Sequence, residues 1–304
     1  MSNFGFKRKF KPLELLNEEQ VEYLHAAAIE ILKEVGVKFD NDWALKFLKK
    51  NDCIINLENK IVRFPEGLVE ESIRKAPSTF TLKAREEKYN MVFQRDTVFF
   101  QDAPAMNIFN FKEATTRKPT KEEYADYVKV LDALPTVHGL SAYPYFGCEG
   151  IPEVMIMPEL VAIKFKYSSK FQHIPYSNDS EIFCIKMAQA IGVEIMGDIT
   201  LAPPLVWQKS AILQARRFVE AGFPVCPVAA SIYGATGPAT IAGGVAKSNA
   251  ELLSMLVFIQ LLNPGHRMSV FNLDMPQNMK TGSPFFGNIS ATIIQAIFNQ
   301  MLDL

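Results

Sequence analysis

The run Tyr233-Gly234-Ala235-Thr236-Gly237-Pro238-Ala239-Thr240-Ile241-Ala242-Gly243-Gly244 is where residue type and spacing come nearest to a binding loop. Its glycines admit backbone angles and ligand approaches closed to larger residues. Thr236 is placed to cap a following helix, and Pro238 suits that helix's first turn. Free amides at such a helix start can meet an anionic group. No Gly-Lys-Ser/Thr follows, which excludes a phosphate loop, and the glycine spacing is not that of a dinucleotide fingerprint. The segment therefore reads either as a packing turn or as a ligand-contacting loop.

Two further positions could carry acid-base chemistry. Asp274 follows a strand-like run, Met268 to Leu273, in which Asn272 alternates with it; both would lie near the strand's carboxyl end. His173 occupies a similar place in the run Lys170 to Ile174, where a general base is useful. The opposing readings are a turn aspartate and a structural histidine. His25 falls on an amphipathic helix, His138 at a strand start and His266 in a Pro-Gly turn, none of which favours catalysis. Aromatic residues gather at strand ends: Tyr143, Tyr145, Phe146, Tyr176, Trp207 and Tyr233. Aromatic faces are what a site would use for a methylated ammonium group, which offers little to hydrogen-bond; the same rings could equally fill a core. The cysteines Cys53, Cys148, Cys184 and Cys226 are far apart with no CxxC spacing, and the histidines show no HxxxH, so no metal site is expected and buried reduced thiols are.

These residues need elements to position them. Asn17 and Gln20 form a capping box before Val21, Leu24, Ala28, Ile31, Leu32 and Val35 at helical spacing, with Gly36 as the stop. A short helix after Asp42 and another from Pro65 to Ala76-Pro77 make a helical preface. Thr79 to Lys83 and Met91 to Phe100, joined by a charged turn at Arg85 to Lys88, read as a small hairpin. Thr120 and Glu123 then cap a helix through Ala133. Strand-like runs follow at Val137 to Tyr145, Lys170 to Ile174, Ile195 to Leu201, Pro224 to Ser231 and Met268 to Leu273. Helical patterns at Glu181 to Ile191 and Gln208 to Ala221, stopped by Gly192 and Gly222, lie between them.

Strands and helices alternating at roughly thirty-residue spacing imply parallel strands with right-handed crossovers, hence a doubly wound sheet or a (β/α) barrel. Five or six such units precede Leu304, fewer than the eight a closed barrel needs. The expected organisation is a helical extension with a hairpin over residues 1–90 and a strand-helix domain over 91–304. With 304 residues, 48% of them hydrophobic and 21% charged, the chain can bury a large core, and a net charge of -1 gives no general attraction to nucleic acid or an anionic membrane. The basic opening Lys7, Arg8, Lys9, Lys11 lacks a signal-peptide core and is read as a solvated arm, and Leu252 to Leu262 is too short an apolar run to span a bilayer.

Several segments together resemble the trimethylamine methyltransferase family. They are Leu16 to Gln20, Glu34-Val35-Gly36-Val37-Lys38-Phe39, Val62-Arg63-Phe64-Pro65, Leu82-Lys83-Ala84-Arg85 and Thr116-Arg117-Lys118-Pro119-Thr120. Most specific is Gly234 to Gly243, with Asn249-Ala250-Glu251 and Gln260-Leu261-Leu262-Asn263-Pro264-Gly265 behind it. The sequence departs from the family pattern at Phe271-Asn272-Leu273-Asp274-Met275 and at Met279-Lys280-Thr281-Gly282, where lysine stands for the arginine common in relatives and loses its planar fork.

The resemblance implies a TIM (β/α) barrel, incomplete at the carboxyl end in this chain, with its substrate funnel at the carboxyl face of the strands. It implies a cytoplasmic enzyme that moves a methyl group from trimethylamine, or from a quaternary amine such as glycine betaine, to the cobalt of a corrinoid (cobalamin) carried by a separate partner protein. Self-association stays open. Cobalt(I) supplies the nucleophile, so the protein chiefly positions and desolvates. On this reading Asp274 and His173 are the candidate catalytic residues, and Tyr145, Trp207, Tyr233, Thr236, Gly237, Pro238 and Asn272 line the funnel. The rivals are a barrel lyase or hydrolase pairing Asp274 with His173, and a non-catalytic fragment.

Overall fold

The computed structural model describes residues 4–102, 107–141, 148–174 and 179–302. Helices fall at α1 (Glu18–Glu30), α2 (Asp42–Lys50), α3 (Glu66–Lys75), α4 (Lys121–Ala133), α5 (Ile156–Tyr167), α6 (Glu181–Ile191), α7 (Lys209–Glu220), α8 (Ile241–Leu262) and α9 (Ile289–Met301). Interleaved with them are β1 (Gly139–Leu140), β2 (Phe171–Ile174), β3 (Ile195–Thr200), β4 (Val225–Ala229) and β5 (Phe271–Asn272), hydrogen-bonded in the order β1-β2-β3-β4-β5. The pairings β1 with β2, β2 with β3 and β4 with β5 are parallel. The fold is thus mixed α/β with a parallel sheet, the architecture that the strand-helix alternation predicts.

The chain divides into two compact units. One comprises Met1–Lys9, Ser78–Asp198 and Arg217–Val225; the other comprises Phe10–Pro77, Ile199–Arg216 and Cys226–Leu304. In the first, α4 begins at the expected box: Thr120 Oγ1 accepts from Glu123 N, and the Glu123 carboxylate accepts from Thr120 N. That cap orients the apolar stripe Tyr124, Val128, Leu131 toward Leu160 and Ile163 of α5 and Leu140 of β1. The hairpin is present, with Phe80–Leu82 antiparallel to Met91–Phe93 and the Phe80 and Phe93 rings stacked at 5.3 Å. Helix α5 had no counterpart in the sequence reading; its mean composition is apolar enough to hide helical periodicity.

In the second unit α1 carries the predicted capping box, then continues as one π-helical turn, Ile31–Val35. The wider turn shifts the side-chain register, so Leu32 is buried while Val35, expected on the apolar stripe, is 54% exposed. Gly36 ends it at φ 80°, and a Cβ there would lie 2.5 Å from the Val62 carbonyl oxygen, so only glycine fits. The preface is not purely helical: Val37–Phe39, Ile54–Asn56 and Ile61–Arg63 form a small antiparallel sheet, to which Val206–Trp207 adds in parallel. Three-residue strands give too little alternation to register in the sequence. Phe39, Phe64 and Phe258 pack at 5.8 and 6.0 Å beneath this sheet, each fully buried and each contributing roughly 2–3 kcal/mol of apolar burial. Among the described residues α8 alone is long and apolar enough to cross a membrane by composition, yet 83% of its apolar window is buried within the protein.

Candidate functional site

Two polar clusters, one in each unit, hold five of the residues singled out from the sequence: Tyr233, Gly237, Asn272 and Asp274 in one, His173 in the other. In the second unit β4 runs through Ala229 into the loop 230–240, and β5 ends two residues before Asp274. Asp274 is 1% exposed, and its carboxylate is met from three directions. Oδ1 accepts from Ser231 N at 2.7 Å, while Oδ2 accepts from Tyr233 Oη and from Asn272 Nδ2, both at 3.0 Å. Asn272 cannot be turned over, because its Oδ1 accepts from the Asp274 backbone N at 2.9 Å and from Gln295 Nε2 at 3.0 Å. The three hydrogen bonds to the Asp274 carboxylate all come from donors, so its acceptor capacity is largely used. These bonds tie Asp274 to the loop at Ser231 and Tyr233. Burial, then the charge of Asp274, pushes the Tyr233 hydroxyl pKa well up, so it stays a donor.

Behind the loop, the Lys247 ammonium of α8 contacts Ser231 Oγ and lies 2.9 Å from Glu251 Oε2. Glu251 is fully buried, and its other oxygen accepts from Leu205 N at 2.7 Å. Burial raises the Glu251 pKa, and Lys247 opposes the rise. Neither residue was singled out as functional from the sequence, although their i,i+4 spacing on an apolar helix was a readable signal of a buried pair. Gly237 lies against this cluster; a Cβ on it would sit 3.3 Å from Ser231 Cβ and 3.8 Å from Lys247 Cε.

The loop itself differs from expectation in one respect. Thr236 does not cap α8; its Oγ1 accepts from Ile232 N at 2.9 Å, closing the turn on itself. Thr240 is the cap, accepting from Gly243 N, because Pro238 and Ala239 extend the loop and delay the helix. The Gly243 amide offered to an anion is thereby engaged. Trp207, expected at a rim, is fully buried, and its indole N–H donates to Ser254 Oγ at 2.8 Å, so it braces the Val206–Trp207 strand within the core. Tyr145 lies outside the described residues, as do Tyr143, Phe146 and Tyr176.

In the first unit His173 sits on β2 in register with Met196 of β3, which sets Asp198, two residues on, on the same face of the sheet. Its Nδ1 lies 3.1 Å from Asp198 Oδ1, the two side chains being 10% and 13% exposed. The carboxylate partner of His173 is thus Asp198, a residue the sequence reading passed over. Lys164 of α5, also passed over, is 1% exposed and donates to the Ser141 and His173 carbonyl oxygens, each at 3.0 Å. Burial pushes its pKa down to about 8, with Asp102 opposing the fall. Nearby, the Asp102 carboxylate accepts from Ser141 N and from Tyr127 Oη. The four cysteines are buried free thiols, as expected; burial pushes Cys53 and Cys184 up to about 12. Among the described residues no three His, Cys, Asp or Glu side chains converge as a metal cage would require.

The model of the trimethylamine methyltransferase (MTTB) family matches residues 3–302. The chain belongs to that family. It is 25% identical over 284 residues to glycine betaine methyltransferase of Desulfitobacterium hafniense (strain Y51), covering 90% of this chain and 59% of the relative. It is 27% identical to proline betaine:corrinoid methyltransferase of Eubacterium limosum, with coverage of 92% and 60%. Identity is again 27% to trimethylamine methyltransferase MttB of Methanosarcina thermophila, with coverage of 92% and 62%. The chain thus spans about 60% of the length of these relatives. Among solved structures, monomethylamine methyltransferase (MtmB) of Methanosarcina barkeri aligns with a TM-score of 0.62 at 13% identity, covering 99% of this chain and 61% of that one, so the two share a fold.

Proposed function

We propose that this chain takes part in transferring a methyl group from a small methylated amine to the cobalt of a corrinoid carried by a partner protein. The observation that carries the reading is the family match across residues 3–302. The relatives named above bear the names of methyltransferases for trimethylamine, glycine betaine and proline betaine, the last with a corrinoid. Local geometry supports it. Asp274 ties down the loop at Ser231 and Tyr233, as a site that works by positioning requires.

On this reading β1 to β5 are the first strands of a (β/α) barrel spanning residues 91–304, with the preceding ninety residues as its extension. Asn272, Tyr233, Thr236, Gly237 and Pro238 border the amine, and Asp274 orients Tyr233 and Asn272. Tyr145 remains a lining candidate, and Trp207 supports from within. The corrinoid supplies a cobalt(I) nucleophile as the methyl acceptor; the chain's residues bind the amine, exclude water and aim one methyl carbon outward. The turn after Pro276 exposes Met279 at 86% and Phe286 at 67%, and the first residue of α9, Ile289, is 79% exposed, apolar side chains suited to a partner protein. We place the protein in the cytoplasm, where reduced corrinoids and free thiols persist.

The test is methyl transfer from trimethylamine, glycine betaine and proline betaine to cob(I)alamin, followed optically with the full chain and its Asp274→Asn variant. Cobalt-dependent demethylation of any one supports the reading, and amine turnover that needs no cobalt refutes it.

A further inference from the structure

We infer that Glu251 is a positioning residue: its buried carboxylate, acting with Lys247, fastens the loop after β3 and the loop after β4 to one face of α8, so that the two strand-end loops meet the amine as a single body. The inference rests on the amine reading above. β3 ends at Thr200, and the chain then turns back on itself, with Ala202 N donating to Val206 O at 2.9 Å. Leu205, inside that turn, has φ 56°, a left-handed conformation that residues other than glycine seldom adopt. Two bonds hold it there. Its N–H donates to Glu251 Oε1 at 2.7 Å, and its carbonyl oxygen accepts from Lys38 N at 2.9 Å. One turn further along α8, Ser254 Oγ accepts from the indole N–H of Trp207 at 2.8 Å. Glu251 and Ser254 thus anchor both the turn and the short strand that leaves it.

The other Glu251 oxygen leads to the second loop. Lys247 Nζ lies 2.9 Å from Oε2 and contacts Ser231 Oγ, and Ser231 N donates to Asp274 Oδ1 at 2.7 Å. An unbroken run of polar contacts therefore joins Leu205 N to Asp274 through Glu251, Lys247 and Ser231, and Lys247, at 5%, is the most exposed of these last three and Asp274. Stability alone does not ask for an ion pair here. An apolar pair of similar volume packs as well as a buried ion pair or better, because it avoids taking two charges out of water, and the buried face of α8 is otherwise largely apolar. What an apolar pair cannot do is accept the Leu205 N–H or donate to the Ser231 hydroxyl oxygen. Those directional bonds fix the spacing of the two loops, and a wall that binding must first order weakens a site by the cost of ordering it.

Lys247→Met combined with Glu251→Met, made in the full chain, replaces the pair by side chains of similar volume. The double variant should melt at or above the temperature of the parent. It should nevertheless bind trimethylammonium, glycine betaine or proline betaine, whichever the parent binds in calorimetric titration, about 10-fold more weakly. Hydrogen exchange reads the positions directly: bound amine should slow exchange at both 202–206 and 231–236 in the parent, and at 231–236 alone in the methionine variant. Lys247→Gln combined with Glu251→Gln keeps an acceptor toward Leu205 and a donor toward Ser231, and should restore most of the affinity together with the protection of 202–206. Should the methionine pair prevent folding, the glutamine pair decides: protection of both loops supports the positioning role, and its loss in a folded protein overturns it. Undiminished affinity in a folded methionine variant, or a bound amine that leaves 202–206 unprotected in the parent, overturns the inference while the amine reading stands. A folded parent that binds none of the three amines overturns both.

Discussion

Replacing Gly244 with alanine should destabilise the protein through a residue eleven positions away in sequence. Gly244 lies in the first turn of α8, and a Cβ there would fall 2.2 Å from Tyr233 Cζ, 2.4 Å from Cε2 and 2.6 Å from Cε1. The ring is 5% exposed and must move bodily, which takes its hydroxyl off Asp274 Oδ2. Overpacking costs about 1–3 kcal/mol, and a lost hydrogen bond to a buried carboxylate about 1.5–3 kcal/mol more. Against this, alanine is better than glycine in a helix by about 1 kcal/mol. The net is about 2–5 kcal/mol, or a Tm lower by roughly 4–10 °C at about 2 °C per kcal/mol for a chain of this size. Scanning calorimetry of Gly244→Ala, Tyr233→Leu and the double variant reads the argument directly. In the Tyr233→Leu background the ring is gone, so Gly244→Ala should be neutral to within about 1 kcal/mol, a coupling of the size expected for residues in contact. A single variant melting within about 1 °C of the parent, or the same loss in both backgrounds, refutes the reasoning.

Glu251→Gln should cost about 3–5 kcal/mol by leaving the Lys247 ammonium buried without its counter-charge, and adding Lys247→Met should recover most of that loss in urea unfolding. Lys164 gives a pH signature. Its folded-state pKa of about 8 lies below its unfolded value of 10.5, so between these pH values the unfolded chain binds the extra proton and stability rises with pH. The rise is about 3 kcal/mol in all, and Lys164→Met should abolish it; parallel pH profiles of the two proteins from pH 8 to 10.5 would contradict the burial argument. Thr240→Ala should lower stability by about 1 kcal/mol as the loss of a cap, whereas Thr236→Ala should loosen the loop without fraying α8 in hydrogen exchange.

What could be read from the sequence was what local chemistry dictates. The capping boxes at Asn17 and Thr120, the glycine stops at Gly36, Gly192 and Gly222, and the extent of α6 all follow from neighbours within a few residues. The loop 233–244 and Asp274 were legible as a place of interest for the same reason, and the structure brings Tyr233, Asn272 and Asp274 together. Their partners were not legible, because Lys247, Glu251 and Ser231 gain meaning only when α8 packs behind the loop. Asp198 was invisible as the partner of His173 since the register between β2 and β3 is a long-range fact. Trp207 shows the converse: an aromatic at a strand end carries no mark of whether it faces a ligand or, as here, Ser254.

Gln300, on α9, reaches back across almost the whole sequence. Its Oε1 accepts from Leu15 N and Leu16 N, and its Nε2 donates to the Leu16 carbonyl, so one amide clasps the strand of chain that leads into α1. A ribosome must finish 300 residues before that clasp can shut, and the unit it fastens is assembled from three separated stretches of chain. Early-made α1 and α3 have to wait, with apolar faces uncovered, for α8 to arrive, which makes the nascent protein a natural client for a chaperone and its refolding slow for topological reasons.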